Sequence, residues 1–260
     1  MRELKFLLAV WQANLQSVME YRISFLMQVI GMMVNNFIYF VIWMIFFDRF
    51  REVRGWGIDE MYITYGVIAS AFGLASVFFG NSFMLGDIIN NGRLDYYLSL
   101  PRPVLLHAVS SRMISSGMGD LTYGFLSYAV SGQFTWDGLL RFILAVLLAA
   151  VIFAAFLILV NSLAFWAGIV SSFSSLMVNA MITFGIYPIT LFDNYAKLIL
   201  FTVIPAALMG AVPAEFIAQF TWQTLAELLL GAMIFLGLAV TVFRLGLRRY
   251  ESGSAIQVEV

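Results

Sequence analysis

The chain has 260 residues, of which 62% are hydrophobic and 11% are charged, and its formal net charge is −1. The charged share is less than half of the about 25% found in soluble domains, and the mean hydropathy is +0.92. The sequence therefore predicts an all-α integral membrane protein. At about 20 residues per helical span, it has room for six or seven crossings and no separate soluble catalytic domain.

The residue types present also exclude several kinds of site. There is no cysteine and a single histidine, His107, so neither a disulfide framework nor a multi-histidine metal site can form. The near-neutral charge gives no indication of nucleic-acid binding. Phosphate-loop, zinc-protease and serine-hydrolase motifs are all missing, so we expect no catalytic residue and no cofactor or metal bound by this chain.

Residues 1–22 predict an amphipathic helix that lies in the membrane interface. Apolar side chains recur at helical spacing on one side, at Leu4, Leu7, Leu8, Trp11, Leu15, Val18 and Met19. Polar residues such as Gln12 and Gln16 fall on the other side, as in interfacial helices. The alternative is a first helix that packs against the rest of the protein. The interrupted apolar stretch does not match a signal peptide.

Six apolar segments predict six transmembrane helices, five of them within residues 23–187 and the sixth within 223–247. They are Ile23–Phe47, Met61–Gly80, Val104–Ser131, Leu139–Val160, Leu163–Ile186 and Thr224–Leu245. Small residues at four-residue spacing in the second span predict close helix packing, either within one subunit or between subunits. With a tail at 248–260, the chain forms a single transmembrane domain.

The segment 188–222 is apolar but interrupted. Pro188, Pro205 and Pro213 break it, and Asp193 and Lys197 make its first part polar. Lipid cannot satisfy the backbone groups that such breaks release, so the segment must be buried in protein or line a cavity. We therefore predict a broken re-entrant segment on the outer side, between the fifth and sixth spans.

Basic residues indicate the orientation. With the N-terminus inside and six spans, nine of the fourteen Lys and Arg residues lie on the cytoplasmic side. This bias follows the positive-inside rule and places both termini in the cytoplasm. The first outer loop, which carries Arg49, Arg51 and Arg54, argues the other way.

Two further features could carry function. Asp120 is the acid that we place well inside a span, and its expected partner is Asn35, Asn36 or Asn179. It could be structural or could line a path. In the inner loop, Leu94, Tyr97 and Leu98 predict the apolar face of a short helix with Arg93 and Asp95 exposed, available to a partner's groove or to the lipid interface.

The sequence resembles the permease subunits of type-2 ABC exporters, specifically the compact bacterial group without a fused ATPase. The matching residues are the inner loop Gly92–Val104, the pair Tyr187–Pro188, the run Ile204–Phe216 and the tail Gly246–Ser252. Together with the interfacial helix and six spans, the likeness covers nearly the whole chain. It carries no information about the substrate.

The resemblance implies an ATP-driven exporter in a bacterial cytoplasmic (inner) membrane. Two permeases, identical or paralogous, would pair around a translocation path, and two copies of a separate ATPase would carry ATP and Mg. The ATPase-coupling residues would be Arg93, Leu94, Asp95, Tyr96, Tyr97 and Leu98, with a smaller contact at Asn161 and Ser162. The path would be lined by Ser70, Asp120, Ser171, Ser175 and Asn179. The outer gate would be the re-entrant segment with Pro188, Pro205 and Pro213.

Two other classes of protein remain open at this stage. An ion-coupled secondary carrier for drugs or other solutes would need internal repeats and intramembrane charges, of which only Asp120 is visible. A membrane enzyme would need a cluster of His, Asp and Glu, which the sequence lacks. Dependence on an ATPase partner separates the exporter from both alternatives.

Overall fold

A computed structural model describes residues 2–251 of the chain, so the predicted tail is described only as far as Glu251. Thirteen α-helices make up this part, and it contains no β-strand beyond one isolated bridge between Val53 and Trp56. The helices are α1 (Arg2–Met19), α2 (Arg22–Phe50), α3 (Ile58–Phe78), α4 (Leu85–Asn90), α5 (Leu94–Leu98), α6 (Val104–Ser110), α7 (Gly117–Val130), α8 (Trp136–Ser162), α9 (Ala164–Ala167), α10 (Ser171–Ile186), α11 (Asn194–Thr202), α12 (Ala211–Ala218) and α13 (Trp222–Leu247).

Four helices are long and apolar enough to cross a membrane: α2, α3, the continuous stretch that begins with α8, and α13. The helix α10 is apolar but shorter. The predicted third span, Val104–Ser131, is not one helix, because α6 and α7 are separated by a non-helical stretch at 111–116. The predicted fifth span is likewise divided, into α9 and α10.

The interruption between α6 and α7 is stabilised by the end of α3. The Ile114 amide donates to the Ser76 carbonyl at 3.0 Å, and the Gly80 amide donates to the Arg112 carbonyl at 3.1 Å. Polar backbone groups that leave a helix in an apolar environment need such partners. The two bonds explain how small and polar residues can replace a regular helix here.

Glycines bring α3 and α7 into close contact. A Cβ atom on Gly73 would lie 2.6 Å from both the Gly117 carbonyl oxygen and the Leu121 amide nitrogen. One on Gly66 would lie 2.9 Å from the Gly124 carbonyl oxygen. The small residues of the second predicted span therefore pack within the subunit, backbone against backbone, as in other glycine-mediated helix pairs.

The helices differ greatly in burial. In α3, 78% of the apolar window is buried, whereas in α2 only 11% is buried. The helix α8 packs against both α3 and α13, and α12 packs against all three. The core is thus centred on α3 and α8, while α2 lies at the periphery and contacts mainly α7.

The N-terminal helix α1 has features of both predicted arrangements, an interfacial helix and a helix packed against the rest of the protein. The Trp11 indole donates to the Phe78 carbonyl at 2.9 Å, and the Asn14 amide donates to the Ser110 carbonyl at 3.1 Å. At the same time Leu4, Leu8 and Leu15 are exposed. One face of α1 is therefore bound to the protein, and a second face leaves leucines free to contact lipid.

The interrupted segment after α10 forms two short helices, α11 with 9 residues and α12 with 8 residues. Neither is long enough to cross a bilayer. Asp193 caps α11 by accepting a hydrogen bond from the Ala196 amide at 2.7 Å. Pro188, Pro205 and Pro213 are buried.

Two arginines next to this segment bind its free carbonyl groups. Arg54 donates to the Thr190 carbonyl at 2.5 Å, and Arg141 donates to the Ile217 carbonyl at 2.8 Å. Arg54 belongs to the loop whose arginines oppose the charge bias. Its hydrogen bond to the Thr190 carbonyl therefore explains why an arginine lies on the same side of the membrane as the interrupted segment.

The α3–α7 crossing generates a stability prediction. The variant Gly73→Ala should lower the free energy of unfolding by about 1–3 kcal/mol, because the new methyl group meets backbone atoms that cannot move aside. The measurement is the melting temperature of the purified protein in detergent. Gly31→Ala is the matched control, since nothing lies within 4 Å of that position in α2. Equal melting temperatures for the two variants would contradict the crossing.

Candidate functional site

A cavity with a volume of about 620 Å³ lies between α2, α3, α7 and α10. Its walls combine polar side chains with aromatic rings and aliphatic groups. The lining residues are Met32, Asn35, Asn36, Tyr39, Ile42, Trp43, Tyr65, Ile68, Ala69, Phe72, Asp120, Asn179, Ile182, Thr183, Ile186 and Tyr187. This volume is within the range of small-molecule binding sites.

A buried polar group of three residues lies in one wall of the cavity. The Asn36 side-chain amide donates to Asp120 Oδ1 at 2.7 Å and to the Met32 carbonyl at 3.0 Å. The Tyr65 hydroxyl donates to Asn36 Oδ1 at 3.3 Å. Among the partners that we expected for Asp120, the structure therefore selects Asn36. The second carboxylate oxygen, Oδ2, is buried and has no hydrogen-bond partner in the described part of the chain.

Close packing of α7 on α2 fixes the position of Asp120. A Cβ atom on the preceding residue, Gly119, would strike the Val29 carbonyl and would lie 2.8 Å from Met32 Cβ. Only glycine allows this approach. The carboxylate is thus held against Asn36 by the backbones of both helices.

The other predicted path residues fall in different places. Asn179 lines the cavity from α10. Ser70 is fully buried in the α3–α7 crossing and is not among the lining residues. Ser171 and Ser175 are exposed at the start of α10 and do not line the cavity either.

The sequence interpretation missed the contribution of α2. Asn35, Asn36, Tyr39 and Trp43 line one wall because they recur at helical spacing along a single face. That stripe was visible in the sequence. We predicted Asn35 and Asn36 only as partners of Asp120, because Tyr39 and Trp43 are compatible with an ordinary apolar span.

On the side of the molecule that carries the inner loop, α5 is held by one buried leucine and one tyrosine. Leu94 is fully buried. The Tyr97 hydroxyl lies 2.8 Å from the Ser111 hydroxyl, and its ring packs edge-on against His107 with centroids 5.2 Å apart. These contacts confirm a short helix with one buried face.

The exposed face of α5 differs from the sequence prediction. Leu94, Tyr97 and Leu98 were expected to share one apolar face, but Leu94 is buried in the protein, whereas Leu98 is 42% exposed and Tyr96 is 62% exposed. The helix is too short to bury residues at both of its ends. Arg93 is exposed as predicted, whereas Asp95 is half-buried. The resulting surface, which we call the inner contact surface, consists of Arg93, Tyr96 and Leu98.

The second predicted contact, at Asn161 and Ser162, requires a correction. Both residues are buried in the last turn of α8 and cannot touch a partner protein. Asn161 instead donates to the Ser82 carbonyl at 3.1 Å and to the Ser174 hydroxyl at 2.9 Å, and so joins α8 to its neighbours. The exposed residues of this break are Leu163, Trp166 and Ile169.

The end of α13 joins these two regions. A Cβ atom on Gly246 would strike the ring of Phe165, which lies in α9. The Tyr250 ring centroid is 6.2 Å from that of Phe165. The buried Tyr250 hydroxyl has no hydrogen bond of standard geometry. It interacts with Asp95 and the backbone of Leu94, and burial together with Asp95 raises the pKa of Tyr250 to about 12.

The described residues contain no group of three or more His, Asp or Glu side chains arranged to hold a metal ion.

Comparison with known families gives a match that covers most of the chain. Residues 33–254 match the family model described as "ABC-2 family transporter protein". Comparisons with curated proteins and with solved structures returned no match. The matched range includes the inner contact surface, the interrupted segment and all the residues that line the cavity except Met32. The chain belongs to the ABC-2 family of transporter proteins and is a multi-pass membrane component of a transport system.

Proposed function

We propose that this chain is the permease subunit of an ATP-driven exporter that pairs with a second permease and docks a separate ATPase. The observation that carries the proposal is the inner contact surface, where Tyr96 and Leu98 are exposed on a short helix whose other face is fixed by Leu94 and Tyr97. An exposed aromatic and an exposed aliphatic side chain on a rigid helix suit a partner's groove.

Pairing with a second permease agrees with the exposure of α2. Most of its apolar length is exposed, and it forms one wall of the cavity. A second permease against this side would cover the cavity and complete a path between the two subunits. Both identical and paralogous partners fit this arrangement.

The proposed topology has six crossings with both termini in the cytoplasm of a bacterial cell. The helices α6 and α7 together form the third crossing, α10 forms the fifth, and α11 and α12 form a re-entrant outer gate. The arginine contacts to Thr190 and Ile217 support this gate, because they satisfy carbonyl groups at the breaks.

The mechanism would be alternating access. ATP, with Mg, binds on the partner ATPase and closes its dimer, which moves α5. The contacts of α5 with α6 and with Tyr250 pass this movement to the spans. The cavity then opens outward and the gate releases the cargo. This chain supplies binding and coupling, and no catalytic residue.

An ion-coupled secondary carrier is the second candidate, and Asp120 favours it. An ionisable side chain within a span is a recurrent feature of such carriers. A carrier of this kind works without an ATPase, so purification of the native complex distinguishes the two proposals.

We predict that tagged protein extracted gently from its native membrane carries an ATPase subunit. The double variant Tyr96→Glu and Leu98→Glu should reduce the recovered ATPase at least about tenfold, because buried hot-spot contacts are replaced by desolvated charges. Quantitative mass spectrometry of the eluate measures the ratio. Leu98→Ile is the control and should retain the ATPase. A wild-type protein without an ATPase, from a preparation that preserves other complexes, would support the carrier.

We also predict that Tyr250 holds α5 in place. In a chain without cysteine, Tyr96→Cys provides a single reporter for a soluble maleimide. Adding Tyr250→Ala should speed labelling of that reporter, because the Tyr250 ring no longer packs against Phe165. Tyr250→Phe keeps the ring and should change the rate much less.

The protonation state of Tyr250 gives this test a pH signature. Its pKa is raised from 10.0 to about 12, so the stabilisation is fully present below pH 10.0 and is lost as the pH rises through about 12. The reactive thiolate fraction of the reporter changes with pH in both proteins alike. The ratio of the labelling rates with and without Tyr250→Ala should therefore be independent of pH near neutrality. Identical labelling rates with and without Tyr250→Ala would show that Tyr250 does not hold α5 in place.

The topology is tested by labelling intact cells with a membrane-impermeant maleimide. A cysteine at the exposed position Tyr195, in α11, should react from outside. A cysteine at Tyr96 and a tag after Val260 should be reached only after lysis. Labelling of the tag on intact cells would exclude the six-crossing arrangement.

A further inference from the structure

We propose that the cavity between α2, α3, α7 and α10 binds an organic cation, with the Asp120 carboxylate opposite its positive centre and aromatic rings around its apolar body. The inference rests on the proposed transport function and deepens it by naming the class of cargo. It depends on three observations: the unmatched oxygen of Asp120, the absence of a basic lining residue, and the aromatic walls.

The first observation is a carboxylate with one partner. Asp120 is 5% exposed, and Asn36 occupies Oδ1, while Oδ2 has no partner among the described residues. Leaving a buried acceptor unmatched costs about 1–3 kcal/mol, and more when the group is charged. Asp120 lines the cavity, so a ligand that places a positive charge in the cavity near the carboxylate recovers part of this cost without a hydrogen bond to the buried Oδ2.

The second observation concerns the source of positive charge. No Lys, Arg or His is among the residues that line this cavity. A buried carboxylate is normally paired with a cation or a metal. A carboxylate without such a partner is otherwise protonated. Because the described walls provide neither a cation nor a metal, an ionised Asp120 takes its complementary charge from a molecule that enters the cavity.

The third observation is the aromatic composition of the walls. Tyr39, Trp43 and Tyr65 come from the α2 and α3 sides, and Phe72 and Tyr187 extend the lining. The faces of such rings attract a cation within about 6 Å. Rings also pack against the apolar part of a ligand, so this lining suits a cation with an aromatic or aliphatic body.

The geometry further indicates that the acceptor is preorganised. Both N–H groups of Asn36 are used, one by Asp120 and one by the Met32 carbonyl, and Tyr65 occupies its oxygen. Asn36 therefore cannot rotate to serve Oδ2 without losing these bonds. Asp120 is therefore held in a fixed position and has a hydrogen-bond partner on only one of its two oxygens. A purely structural link between α2 and α7 would not need the second, unpaired oxygen.

The test measures binding of two cationic probes, tetraphenylphosphonium and ethidium, to the full-length protein purified with its native partners in lipid nanodiscs. Tetraphenylborate, an anion of the same size as the first probe, is the charge control. We expect saturable binding of at least one cation and preference for tetraphenylphosphonium over tetraphenylborate. Asp120→Asn should weaken cation binding at least about tenfold, since a charged partner is replaced by a neutral one.

A second variant keeps the test independent of folding. Asparagine at position 120 can still accept the Asn36 hydrogen bond, so the α2–α7 contact is retained. Adding Asn35→Asp returns a carboxylate to the same cavity wall, because Asn35 lines it. We expect the Asn35→Asp, Asp120→Asn double variant to recover part of the lost affinity, which a purely structural role for Asp120 would not allow.

The outcomes separate this inference from the proposed function. Absence of binding by both cations, or equal binding in wild type and Asp120→Asn, overturns the cation site even if an ATPase copurifies. Equal affinity for tetraphenylphosphonium and tetraphenylborate also overturns the cation site, because the binding would not depend on the charge of the probe. Charge-selective binding that depends on Asp120, in a protein without an ATPase, supports the site while rejecting the ATP-driven exporter.

Discussion

The structure depends on satisfying backbone polar groups wherever a helix is interrupted in an apolar environment. Each of the three main breaks has partners from a neighbouring element. Ser76 and Gly80 serve the break between α6 and α7, and the Asn90 side chain donates to the Gly168 carbonyl at 2.9 Å in the break between α9 and α10. Arg54 and Arg141 serve the segment after α10. These contacts satisfy the backbone groups that the interruptions release, as folding in lipid requires.

The same breaks create the functional features. Because α7 begins after an interruption, its glycines can pack directly on α3 and α2, and this close approach places Asp120 against Asn36. Because α8 ends at Ser162 and α9 is short, Phe165 lies where Gly246 and Tyr250 can contact it. The cavity and the inner contact surface are thus consequences of where helices stop.

The sequence predicted the class of fold well, since apolar length and charge are direct signals of membrane helices. It also located the inner helix and the interrupted segment, because proline and spacing mark both. It did not reveal that Val104–Ser131 is divided. Four of the six residues at 111–116 are polar, and such a stretch can continue a helix or break it, depending on neighbours such as Ser76. Asn161 and Ser162 were assigned to a surface because the family resemblance implies a second partner contact at this break. Their burial depends on tertiary partners, Ser82 and Ser174, that local sequence does not specify.

The peripheral position of α2 has a consequence for how the transporter could diversify. This helix supplies one wall of the cavity but little of the core, which is built on α3 and α8. Substitutions along its Asn35–Trp43 stripe would change the shape and polarity of the binding space with little effect on the folding of the rest. The surface on α5 is formed by other residues and would be preserved. Under the proposed function, cargo selectivity and ATPase attachment would therefore be separable, and a permease of this design could acquire new cargoes while keeping the same ATPase.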